Sequence, residues 1–293
     1  MVGLALGTDT AGSVRHPASA CGVVGLKPTY AALDCTGVFP LSPTLDHVGI
    51  IAPGAADAAM AFDALCPDAA GAGQGTFAGL GQPVAGLRLG VIADWDVDAA
   101  PAIRVAFGAV CDSFAALGVD VRTVQLPPLA AFTDCGRLIL QAEAYAIHRA
   151  DLAARGADYG ARGRARLSAG QGILAADYLD ALAQRRTLTA ALHTAMTGFD
   201  ALITVSSLQQ PCRIDDEAAI AATYDRQART PFNLTGVPAV SVPVGLCPQG
   251  LPIGVQIIGH AHAEAMILRL AAALQRSHPM PRPPLSLLSA RSG

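Results

Sequence analysis

Between residues 89 and 124 the chain changes its apolar period twice. Leu89-Gly90-Val91-Ile92-Ala93 is a short apolar run of the kind that forms a buried strand. Pro101 then stands at a first helical position, with Ile103, Phe107, Val110, Phe114 and Leu117 following at helical spacing. Gly118 stops that helix, and Val119-Asp120-Val121-Arg122-Thr123-Val124 alternates as a strand. Strand, helix and strand at this spacing make a βαβ unit, whose parallel pairing predicts an α/β fold.

The flanking sequence extends the pattern. Ala239-Val240-Ser241-Val242-Pro243-Val244 and Ile253-Gly254-Val255-Gln256-Ile257-Ile258 read as two more strands, with Gly250-Leu251-Pro252 punctuating the stretch between them. Ala265 to Arg276, apolar at Ile267, Leu270, Ala271 and Leu274, is a helix suited to packing on that sheet. Gln171 to Phe199 carries long helical runs with Arg185 and Arg186 read as exposed, and Asp200 to Val205 follows as a buried strand. Asp68 to Gly86, rich in Gly and Ala, is the best surface connection. Prolines 279, 281, 283 and 284 stop any helix after Ser277. No long repeat is present, and residues 1–293 read as one α/β unit.

Composition narrows the function classes. Of 293 residues, 52% are apolar and 15% charged, the reverse of a disordered chain. The net charge of -3 lacks the basic surplus that a nucleic-acid partner demands. Mean hydropathy is +0.40, yet apolar stretches such as Leu251 to Gly259 fall short of the roughly 18–20 residues of a membrane span. Met1-Val2-Gly3-Leu4 lacks the basic start of a signal peptide, so a cytoplasmic location is expected. Seven cysteines without a CxxC pair read as reduced thiols, several of them buried, and seven dispersed histidines offer no metal site.

The stretch with chemical content is Gly3-Leu-Ala-Leu-Gly7-Thr8-Asp9-Thr10-Ala11-Gly12-Ser13-Val14-Arg15-His16-Pro17. A Gly-punctuated loop after a short strand can aim several backbone N–H groups into one concavity, with a serine beside them. Ala11 and Arg15 flank Ser13, so the GxSxG elbow of α/β-hydrolases is absent. A phosphate loop is absent too, because no Lys-Ser/Thr follows the glycines.

Gly7-Thr-Asp-Thr-Ala-Gly-Ser13-Val-Arg15, Cys21-Gly-Val-Val-Gly25-Leu-Lys27-Pro28-Thr29-Tyr30 and Leu45-Asp46-His47-Val48-Gly49 together resemble the second half of the amidase signature. Asp177 to Arg186 resembles that family's middle helix. Asn233-Leu-Thr-Gly236-Val-Pro238-Ala239 and Gly250-Leu-Pro-Ile-Gly254-Val-Gln256 resemble its C-terminal strands. The resemblance implies an α/β/α sandwich around a mixed sheet, incomplete at its N-terminus, and hydrolysis of a carboxamide through a serine acyl-enzyme. It places the nucleophile at Ser13 and the oxyanion hole at the N–H groups of Thr10, Ala11, Gly12 and Ser13. Ala11 stands where many members carry glycine, which costs roughly a kcal/mol if that position needs positive φ.

The family's proton relay passes through a second serine to a neutral lysine, both upstream of the nucleophile. Neither residue type occurs among the twelve residues before Ser13, and the single lysine, Lys27, falls in the family's Leu-Lys-Pro-Thr motif as a positioning residue. The simplest reading is a chain that begins inside the family's domain and is inactive alone. Asp9 and Arg15 are expected to pin the loop. His47 is read as structural, and His16 as held extended by Pro17. Glu143, Tyr145 and His148 share a helix, with Tyr145 a candidate for the substrate cavity. Val205-Ser206, where many relatives have Pro-Thr, is a candidate for the substrate rim. No cofactor is expected, and the partners expected are a small amide substrate and, left open, a second copy in a homodimer. Two rival functions stay open: a subunit of a glutamine-dependent tRNA amidotransferase, which usually has Gln at the position of His47, and a non-catalytic remnant that binds.

Overall fold

The computed structural model describes residues 2–66, 75–225 and 227–281. In chain order the described strands are β1 Ala5–Thr8, β2 Val24–Lys27, β3 Val48–Ala52, β4 Arg88–Ile92, β5 Asp120–Val124, β6 Ala201–Val205, β7 Ala239–Leu246 and β8 Pro252–Ile258. They join into one eight-stranded sheet of order β1-β3-β2-β7-β8-β6-β4-β5. Only the β5-β4-β6 segment is parallel, and every other neighbouring pair is antiparallel. The sheet is therefore mixed. Its parallel part is the βαβ unit around Pro101, whose helix α3 runs Pro101–Ala116 with the proline at its first position. Ile103, Phe107, Val110 and Phe114 are buried along one stripe of that helix.

Residues of β2 and β6 are buried at every position, so side chains on both faces of those central strands are covered. Cover comes from helices. Helix α1 (Arg15–Cys21) packs on β2, β7 and β8, and α9 (Glu264–Ser277) packs on β7 and β8 and against α2 (Ala55–Leu65). Gly25 lets α1 approach the sheet closely: a Cβ there would lie 2.6 Å from the Ala18 Cβ. The 27-residue α4 (Leu129–Arg155) packs on α5 (Ala161–Ser168), α6 (Ala175–Met196) and the short α8 (Thr230–Leu234), while α7 spans Glu217–Asp225.

Several readings need correction. His16 is not extended; it lies in the first turn of α1 and its N–H reaches Gly12 O at 2.6 Å. Pro17 is accommodated because the first-turn N–H groups of a helix have no intrahelical acceptor to lose. Arg185 is not a free surface residue: its Nε donates to Leu234 O at 2.6 Å and its Nη2 to Thr44 O at 3.0 Å, tying α6 to two loops. Of the seven cysteines, all free, Cys135 and Cys247 are buried and Cys21 and Cys212 exposed. The connection placed at 68–86 lies partly outside the described residues and contains a 3-10 turn at Phe77–Gly81, and Pro283 and Pro284 lie outside them altogether.

Candidate active site

Strand β1 delivers the chain into residues 9–14, and α1 carries it away. The loop is shaped by one buried carboxylate. Asp9 accepts from Gly12 N at 2.7 Å, Val14 N at 3.2 Å and Arg15 N at 3.3 Å, which curls the backbone around its own side chain. Arg15 then forks onto the same carboxylate, Nε at 3.0 Å and Nη2 at 2.9 Å, with both side chains fully buried. Its remaining N–H groups reach Gln256 Oε1 at 3.1 Å, Arg229 O at 3.0 Å and Asn233 Oδ1 at 2.5 Å. Asn233 closes the circuit by donating Nδ2 to Asp9 O at 2.7 Å. Burial works to push the Asp9 carboxyl up, but Arg15, Lys27 and Asn233 outweigh it and hold the group well below the usual carboxylate range. A buried ion pair of this kind survives because its hydrogen bonds are complete.

Gly12 is the turning point. Its φ of 121° lies in the region that favours glycine, and a Cβ there would lie 2.7 Å from Arg229 Nε. Ala11 is not among the residues with positive φ, so its methyl group strains nothing. Because the Gly12 N–H already bonds Asp9, the loop donors without an acceptor among the described residues are the N–H groups of Thr10, Ala11 and Ser13. Thr10 is fixed by its own side chain, Oγ1 to Asp46 Oδ1 at 2.7 Å. Ser13 is exposed, and among the described residues its hydroxyl has no hydrogen-bond partner.

No base reaches it. Lys27 is buried in β2 and its Nζ donates to Val237 O at 2.7 Å and Pro28 O at 2.9 Å; burial, with Arg15 adding to it, pushes its pKa far down. His47 bonds Leu45 O through Nδ1 at 2.6 Å, and its buried Nε2 has no partner. His16 Nδ1 lies 2.9 Å from Arg229 Nη2. An arginine N–H can only donate, so Nδ1 must accept, and the neutral ring carries its proton on Nε2. Burial and then the Arg229 charge push the His16 pKa down to about 4.

Two residues with large roles were not singled out by sequence. Arg229 is buried beside Gly12. Glu143, placed on a helix but given no role, binds Ser42 Oγ at 2.6 Å, Thr44 Oγ1 at 2.7 Å and Tyr178 Oη at 2.7 Å, clamping α4 and α6 to the segment that leads into Asp46. Tyr145 packs against Gly170, and Ser206 is fully buried and forms no rim. Among the described residues no group of three or more His, Cys, Asp or Glu is gathered to hold a metal ion, and no helix is long and apolar enough to cross a membrane.

Comparison with known proteins fixes the family. The Amidase family model matches residues 1–268. The chain belongs to the amidase family. A glutamyl-tRNA(Gln) amidotransferase subunit of Roseiflexus sp. (strain RS-1) is 32% identical over 310 residues, covering 92% of this chain and 62% of that protein. A crystal structure of an amidase superposes with TM-score 0.82 at 29% identity, covering 94% of this chain and 63% of that one. A chain of the vestigial complex that reveals the origins of an s-triazine catabolic enzyme gives TM-score 0.84 at 31% identity, covering 94% and 63%. The chain thus spans less than two thirds of the length of these family members, and the mixed α/β sheet is the family's own.

Proposed function

We propose that Ser13 is the nucleophile of a carboxamide hydrolase. Its hydroxyl would attack the amide carbonyl, giving an acyl-enzyme after loss of the amine and a free acid after hydrolysis. The Asp9–Arg15 network holds the loop before any substrate arrives, so the N–H groups of Thr10, Ala11 and Ser13 would stabilise an oxyanion without reorganising. Gly12 would join them only by leaving Asp9. Arg229, buried beside Gly12 with no carboxylate paired to it among the described residues, puts a positive charge near the place where negative charge would develop.

The observation that carries this reading is the fixed loop with a free, exposed Ser13 at its end. The same geometry supports a second inference: residues 1–293 alone do not turn over amides. Serine is a weak nucleophile without an adjacent base; among the described residues Lys27 Nζ and His16 Nδ1 are engaged elsewhere, and the unpartnered His47 Nε2 is buried and makes no bond to Ser13. Oxyanion donors and binding alone give roughly 10³ to 10⁴-fold over water in triad proteases stripped of a member. The amidotransferase reading stays as a second possibility, because glutamyl-tRNA(Gln) amidotransferase subunits are among the chain's relatives at 32% identity. Co-purification with partner subunits would separate it from a stand-alone amidase.

The test is chemical. In a form of the protein that hydrolyses amides, a fluorophosphonate probe should label Ser13, and Ser13→Ala should lose the label. Labelling that persists in Ser13→Ala overturns the assignment.

A further inference from the structure

Arg229 is a buried cation without a counter-ion. Only 2% of it is exposed, and no carboxylate pairs with it among the described residues. Its Nη1 donates to Ser206 O at 2.7 Å and Ser207 Oγ at 2.6 Å, its Nη2 to His16 Nδ1 at 2.9 Å, and its buried Nε has no acceptor. Asp9, whose charge acts on Arg229, is already forked by Arg15. Burying a guanidinium against neutral groups alone is costly, and an anion would relieve that cost.

Two of the groups it holds line a small pocket between α1, β8 and the segment after β6. His16, Ser19, Ser207, Gln209, Gln210 and Thr223 supply its polar wall, and among the described residues no acidic side chain lines it. Arg229 sets the polarity of that wall. Because Nη2 donates to Nδ1, His16 presents Nε2–H as a donor; because Nη1 donates to Ser207 Oγ, that hydroxyl keeps its own proton for another acceptor. The amides of Gln209 and Gln210 add N–H groups. Such a wall of donors, backed by a buried positive charge, matches a planar oxyanion group.

We propose that this pocket binds the carboxylate of a small molecule, with Arg229 supplying the charge through His16 and Ser207. His16 follows Ser13 by three residues and Arg229 packs on Gly12, so the pocket adjoins the nucleophile loop. Taken with the reading of Ser13 as nucleophile, on which this last step rests, the favoured substrates are amides that also carry a carboxylate.

Binding is tested without turnover. Succinate, acetate and the neutral analogue acetamide are titrated into the 293-residue chain, following the His16 imidazole signals by NMR and the thermal midpoint. Succinate and acetate should shift the His16 Nε2 signal saturably and raise the midpoint, whereas acetamide should do neither. His16→Ala and Ser207→Ala, which leave the buried arginine in place, should each weaken succinate binding about tenfold or more, and Arg229→Met should abolish it. Ser13→Ala should bind as the parent does, so failure here is separable from failure of the nucleophile assignment. No saturable response to succinate, an equal response to acetamide, or unchanged affinity in both His16→Ala and Ser207→Ala overturns the proposal.

Discussion

The two edges of the sheet are built differently. At one, β5 shows solvent a charged pair, Arg122 and Asp120, bonded at 2.6 Å, with Arg122 and Thr123 exposed. Charges of this kind keep an edge strand from pairing with other chains. At the other, β1 and the residues before it show solvent Val2, Leu4 and Leu6, which are 78%, 42% and 52% exposed. Leu6 sits opposite Ile50 of β3, which is fully buried, so one apolar face is covered at β3 and open one strand further out. The β5 edge is finished for water. The β1 edge is apolar, and the Ser13 loop springs from that edge. On its inner side Asp9 and Arg15 satisfy one another, whereas on its outer side the Ser13 hydroxyl has no hydrogen-bond partner among the described residues.

Breaking the same type of ion pair at the two edges should give the largest contrast. Arg15→Met leaves Asp9 as a buried, unpaired carboxylate and should cost about 3–5 kcal/mol, read by denaturant unfolding. Arg122→Met at β5 should leave the unfolding midpoint unchanged. Equal effects would mean that the Asp9 network is not what holds the loop. Next comes Gly12→Ala, which forces a methyl group into a left-handed position and against Arg229; about 1–3 kcal/mol should be lost, together with Ser13 labelling in an amide-hydrolysing form.

Acid sharpens the contrast further. His16 titrates near 4 in the fold and at about 6.5 when unfolded. Between those values the unfolded chain binds more protons, so stability should fall as pH drops from 6.5 towards 4. Burial pushes His47 the same way. Asp9 adds to the fall only below about pH 5, where the unfolded carboxyl begins to take up a proton while the folded one stays charged. In His16→Gln, whose amide oxygen can still accept from Arg229, the slope should be smaller. A slope identical to the parent's would remove His16 from the explanation. The smallest effect on stability is expected from Leu4→Lys with Leu6→Lys: the unfolding midpoint should hardly move, but self-association in light scattering should decrease. Arg122→Leu should increase it at the β5 edge.

The βαβ unit was legible because Leu89 to Val124 switches from strand to helix period and back, and the last strands were legible because Val240 to Val244 and Ile253 to Ile258 are bounded by Gly and Pro. Helix α2 was not assigned, since Ala55–Leu65 is so rich in alanine that neither face stands out. Helix α1 was obscured by Pro17, which reads as a break but sits where a helix tolerates it. The loop donors could be named from the motif, yet the sequence did not show that Asp9 occupies the Gly12 N–H, because side-chain curling of this kind leaves no periodic signature. Arg229 escaped notice for a different reason. Its partners, His16, Ser206 and Ser207, lie 213, 23 and 22 residues away, and only the folded sheet brings them together.

The most direct measurement is amide hydrolysis by the 293-residue chain itself, wild type beside Ser13→Ala, on a panel of aryl and aliphatic amides with and without a carboxylate. With the loop assembled and no base bonded to Ser13 among the described residues, the two proteins should release amine at the same slow rate. A wild-type chain that turns over orders of magnitude faster than Ser13→Ala would show that a base within these residues reaches the serine after all.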